Sequence, residues 1–107
     1  MIIRTESGPN QNRVSLVGRF DAHEAESFRR TVAPLLTAET STLRLDLSQV
    51  AFVDSTALTE LVRLQKSAKA LSGELILVDL SDPVRVILEI TDLRQVFSVE
   101  QSGASSS

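Results

Sequence analysis

The sequence predicts an α/β domain built on a mixed sheet of about five strands, in the order β-β-α-β-α-β-α-β. Three observations predict it. Stretches of alternating apolar residues interleave with stretches whose apolar residues recur every three or four positions. From the second strand onward the two kinds alternate regularly, which implies right-handed crossovers and a largely parallel sheet. The 107 residues, 42% hydrophobic and 23% charged, suit one soluble domain over residues 1–100 that can bury a core of its own.

Taken in order, Ile2-Ile3-Arg4 is a short strand, and Ser7-Gly8-Pro9-Asn10 reads as a turn. Arg13–Gly18 is a second strand with Val14 and Leu16 on one face, so the two form a hairpin. Asp21 reads as an N-cap, with Glu24 as the return half of a capping box. The helix that follows runs from Ala22 to Leu36, with Ala25, Phe28, Val32 and Leu35 on its buried side; Pro34 should kink or shorten its last turn. Leu43, Leu45 and Leu47 alternate on one face of the next strand, and Val50–Val53 follows after Ser48-Gln49. The second helix begins near Ser55 and ends near Ser72-Gly73, with Leu58, Leu61, Val62, Leu64, Ala68 and Leu71 inward and Gly73 as its stop. Glu74–Asp79 is a nearly continuous apolar strand, as expected of a central position. Ser81-Asp82-Pro83 opens a third helix that buries Val84, Ile87, Leu88 and Thr91. Val96–Val99 is the last strand, and residues 101–107 read as a disordered tail.

Composition removes several function classes. There is no cysteine and one histidine, His23, so disulfides, thiolate chemistry and multi-histidine metal sites are excluded. A net charge of −3, with no Trp or Tyr and four Phe, argues against nucleic-acid binding. The apolar runs are too short to enter a membrane directly and the first residues lack a signal-peptide pattern, so the expected location is cytoplasmic. No metal and no cofactor is expected.

In an open α/β sheet, sites gather beyond the carboxyl ends of the strands, where helices begin. Two such junctions carry acids: Gly18-Arg19-Phe20-Asp21 and Phe52-Val53-Asp54-Ser55. If their strands are parallel neighbours, Asp21, Asp54 and Ser55 share one surface patch. Ser55 then has four readings: helix cap, nucleophile, phosphate ligand or phosphorylation site. The simplest is that Asp21 caps one helix and Asp54, Ser55 or Thr56 caps the next. A nucleophile needs a base, and His23 sits in the first turn of another helix with no orienting partner. A phosphate-cradling loop needs glycines that this junction lacks. Two carboxylates suit a metal, but a helix N-terminus repels cations.

The stretch Leu45–Leu58, with its Val53-Asp54-Ser55-Thr56-Ala57-Leu58 core, resembles the signature of STAS domains of the anti-sigma-factor antagonist family, a strand followed by Asp-Ser-(Ser/Thr)-Gly-Leu opening a helix. Gly18-Arg19-Phe20-Asp21 resembles the family's Gly-x-(Leu/Phe)-Asp motif, and Gly73–Val78 its later strand. The resemblance covers residues 2 to 100 and implies a single-domain STAS-like fold. It implies a non-enzymatic partner switch in bacterial transcription regulation: the unphosphorylated form binds an anti-sigma factor with serine-kinase activity, phosphorylation of Ser55 releases it, and a protein serine phosphatase resets it. Asp21, Asp54, Ser55, Thr56, Ala57 and Leu58 would form the partner-binding surface. Ala57 stands where the family most often has Gly, which bears on how closely a partner backbone approaches. STAS-like domains also serve as scaffold subunits of stress-signalling or membrane-transport assemblies, in which this serine is not phosphorylated.

Overall fold

The computed structural model describes residues 1–8 and 11–101. Strands β1 (Ile2–Gly8) and β2 (Gln11–Phe20) pair antiparallel, as the hairpin reading requires. Pro9 and Asn10 of the expected turn, and residues 102–107 of the expected tail, lie outside the described residues. Helix α1 (Ala22–Val32), β3 (Leu43–Val53), α2 (Ser55–Ala70), β4 (Leu75–Val78), α3 (Asp82–Ile90) and β5 (Ser98–Glu100) follow. The five strands lie side by side in chain order, and β2 through β5 are parallel.

Chain order fixes where the helices go. Every crossover steps the same way along the sheet, so right-handed connections put α1, α2 and α3 on one face. One core cluster joins them: Phe28 and Val32 of α1, Leu58, Leu61 and Leu64 of α2, and Val84 and Leu88 of α3 meet Leu43, Leu45, Leu47, Leu75 and Leu77 of the sheet. The opposite face carries no helix and mixes ion pairs with apolar side chains. Arg13 pairs with Asp46 at 3.3 Å, and Arg44 reaches Glu100 at 3.2 Å across β4, whose Ile76 and Val78 are buried outside the main cluster. Among the described residues no helix is long and apolar enough to cross a membrane.

Several boundaries differ from the sequence reading. Pro34 ends α1 at Val32, and Ala33–Leu35 continues as a 3-10 turn. The two segments around Ser48-Gln49 are one strand. Between the pairs Ser15–Asp46 and Val17–Gln49, β3 holds one residue more than β2, a bulge that Asp46 stabilises by accepting from the Ser48 N–H at 2.9 Å and its hydroxyl at 2.7 Å. Gly73 is not the left-handed stop of α2. Ser72 takes that conformation at φ 69°, its N–H donates to Lys69, and the Gly73 N–H donates to Ala68. Gly73 is needed for another reason: a Cβ there would strike the Ser41 carbonyl. Thr91 is exposed, its hydroxyl donating to the Ile87 carbonyl at 2.6 Å. The last strand starts later than expected, because Arg94–Val96 forms a 3-10 turn.

Gln65 lies on the buried side of α2, 2% exposed. Its amide oxygen accepts from the Leu75 N–H at 2.7 Å and its amide nitrogen donates to the Val96 carbonyl at 2.9 Å, tying α2 to the start of β4 and the entry to β5. Gln65→Leu keeps the volume and strands both backbone groups. It should lower unfolding free energy by about 2 kcal/mol in a urea titration, and no measurable change would show that the buried amide is dispensable.

Candidate functional site

The site is assembled where β2 and β3, parallel neighbours, run into α1 and α2. Gly18 sets the β2 side. Its φ of 109° lies in the region that favours glycine, and the β2–β3 register shifts between it and Arg19. Phe20, 1% exposed, then turns into the core, where its ring centroid lies 4.7 Å from that of Phe28. This contact packs the end of β2 against α1 and places Asp21 at the rim.

Asp21 is the N-cap of α1: its Oδ1 accepts from the His23 N–H at 3.1 Å and the Glu24 N–H at 3.3 Å. The Glu24 carboxylate points instead to the Met1 amino group, 3.6 Å away, so the capping box has one half only.

Asp54 caps two helices at once. Its Oδ1 accepts from Ala57 N–H of α2 at 2.9 Å, and its Oδ2 accepts from Ala22 N–H of α1 at 2.9 Å. Its own N–H donates to the Phe20 carbonyl at 3.4 Å. Asp21 and Asp54 are thus brought together, as the neighbouring-strand argument expects. Their carboxylates are turned toward helix N–H groups, positions that hold negative charge in place.

With Asp54 as the cap, Ser55 is the first residue of α2 and not a cap. Ser55 is exposed, and its hydroxyl makes no hydrogen bond among the described residues. Its carbonyl accepts from the Thr59 hydroxyl at 3.0 Å. Thr56 is exposed beside it. Ala57 and Leu58, named with them for the partner-binding surface, are 0% and 4% exposed, and their side chains pack beneath it. The Ala57 methyl group therefore points into the core. His23 is exposed on α1, and its ring makes no hydrogen bond among the described residues.

Two residues that sequence reasoning did not single out complete the rim. Arg19 and Phe52 are register partners across β2 and β3, and because Phe20 and Val53 point into the core, they face the helix-free side. The Arg19 guanidinium carbon lies 4.2 Å from the Phe52 ring centroid. Strand alternation marks both residues as outward; their pairing requires the register, which the two bulges of β3 hide from the sequence.

The STAS domain family model matches residues 5–105. The chain is 31% identical to the anti-sigma-B factor antagonist of Listeria monocytogenes over 87 residues, covering 81% of this chain and 76% of the relative. It is 30% identical to the anti-sigma-B factor antagonist of Bacillus subtilis over 101 residues, covering 92% of each. In structure it is similar to the anti-sigma factor antagonist SpoIIAA in its unphosphorylated form, with a TM-score of 0.80 over 98% of this chain and 91% of that one, at 17% identity. The phosphorylated form of the Bacillus cell-fate determinant SpoIIAA gives 0.75 at 17% identity, covering 98% of this chain and 95% of that one. At these identities the structural likeness establishes the fold.

Proposed function

This chain belongs to the STAS domain family, and from that membership we propose that it is an anti-sigma-factor antagonist that works by partner switching. In the unphosphorylated state it binds an anti-sigma factor with serine-kinase activity. Transfer of a phosphoryl group to Ser55 releases that partner, and a protein serine phosphatase restores the hydroxyl. The chain is the substrate of these reactions and not their catalyst.

One observation carries the reading. The motif serine is exposed and uncommitted because Asp54 has taken the capping role. A serine whose hydroxyl closed the helix would have to break a cap to be modified; Ser55 does not. The modification adds about −1.5 to −2 charges. At the first position of a helix the N–H groups lack intrahelical acceptors and the dipole favours an anion by roughly 0.3–1 kcal/mol, an effect that Asp54 next door opposes by like-charge repulsion. The fold therefore tolerates the phosphate, and a partner surface fitted to a neutral serine does not.

The test is phosphoryl transfer itself. Incubation with ATP and the serine-kinase anti-sigma factor of the same genome should add the mass of one phosphoryl group to the peptide that contains Ser55, and Ser55→Ala should abolish the shift. No shift on the native chain, or an equal shift on the Ser55→Ala chain, overturns the assignment and favours a scaffold subunit instead.

A further inference from the structure

On the helix-free face of the sheet, at the strand ends that lead to the caps Asp21 and Asp54, lies an arginine with hydrogen-bond donors to spare. Arg19 is 65% exposed, yet its guanidinium is stacked on the Phe52 ring, and its closest carboxylate, Oδ2 of Asp21, is 3.8 Å from its Nε. It makes no hydrogen bond among the described residues. A free surface arginine loses much side-chain entropy when it is captured by a partner; one already laid flat on an aromatic ring has lost part of it beforehand. The ring itself is an exposed aromatic, 38% accessible. Val17, half-buried, and Ile2, 53% exposed, continue the apolar surface along the same face of β2 and β1. An aromatic ring and an arginine, flanked by aliphatic groups, have the composition of an interface centre and not of an ordinary solvated sheet.

The location gives the occupant. Arg19 precedes the buried Phe20 and the cap Asp21; Phe52 precedes the buried Val53 and the cap Asp54. The stacked pair is therefore continuous with the rim that carries Ser55. We propose that Arg19 and Phe52 are the anchor by which the unphosphorylated chain grips its anti-sigma factor, reading a carboxylate flanked by an apolar side chain on that partner. The proposal rests on the partner-switching reading and deepens it. Charge complementarity sets the chemistry: the rim already holds Asp21 and Asp54, both engaged by helix N–H groups, and Arg19 is the group there with donors to spare. A partner carboxylate accepts from the guanidinium while its neighbouring apolar group covers Phe52.

The experiment is a calorimetric titration of the serine-kinase anti-sigma factor of the same genome with five chains: native, Ser55→Asp, Phe52→Ala, Arg19→Ala and, as a control on the far part of α2, Lys69→Ala. Phe52→Ala should weaken binding about 30-fold and Arg19→Ala about tenfold, with Lys69→Ala unchanged. Far-UV circular dichroism of each variant confirms the fold, and Arg19→Ala, altering an exposed side chain, stands in if Phe52→Ala is destabilised. If Ser55→Asp fails to bind while Phe52→Ala and Arg19→Ala bind like native, the anchor is refuted and the partner switch stands. If the native chain does not bind, or Ser55→Asp binds equally well, both readings fall.

Discussion

Ser55→Asp should bind the anti-sigma factor roughly 200- to 1000-fold more weakly than the native chain, a loss of about 3–4 kcal/mol, while Ser55→Ala binds constitutively. The magnitude follows from where the charge would sit. Ser55 is exposed on the first turn of α2, so the free protein hydrates a carboxylate there at almost no cost. In the complex that carboxylate would be desolvated against a surface shaped for a hydroxyl, and a buried interfacial charge without a partner costs about 2–5 kcal/mol. The asymmetry between bound and free states makes the effect large on affinity and small on folding. Titration of both variants, with unfolding curves beside them, checks the two halves separately. Equal affinities for Ser55→Asp and Ser55→Ala would refute the switch.

Asp54→Ala should destabilise the protein by about 3 kcal/mol, against about 1 kcal/mol for Asp21→Ala. Both residues cap helices, but Asp21 serves α1 alone, whereas the two oxygens of Asp54 serve Ala57 of α2 and Ala22 of α1. Its loss removes a charge that complements two helix dipoles and, among the described residues, the only side-chain tie between the two helix starts. Asp54→Asn retains one carbonyl oxygen and should fall between wild type and Asp54→Ala. Chemical denaturation followed by circular dichroism measures all three; a cost below about 1 kcal/mol for Asp54→Ala would mean that the double cap is redundant.

Much of this was legible in the residues. The alternating Leu43, Leu45 and Leu47 are all fully buried, and α2 starts at Ser55 as its motif suggests. The parallel pairing of β2 and β3 brings Asp21 beside Asp54 as the order of elements requires. What escaped depends on tertiary partners. Asp54, Ser55 and Thr56 are equally good caps by composition, and only the backbone shows that Asp54 does the capping and leaves the serine open. Leu58 is buried as its helix spacing requires, and Ala57, part of the same signature, is buried with it. Gln65 looks like a surface residue until the unpaired ends of β4 and the turn before β5 are seen to need it. The bulges of β3 interrupt its alternation, and with it the register that stacks Arg19 on Phe52.

The order of strands along the sheet has one more consequence, for how the molecule is made. Each strand is laid beside the one before it, so no later segment has to be threaded between two that are already paired. A chain emerging from a ribosome can extend the sheet at its growing edge, N-terminal part first. The residues of the proposed switch, Arg19, Asp21, Phe52, Asp54 and Ser55, all lie between the end of β2 and the first turn of α2. They are synthesised before β4 and β5, which means that the end of the protein carrying Ser55 can take shape while its far edge is still being translated.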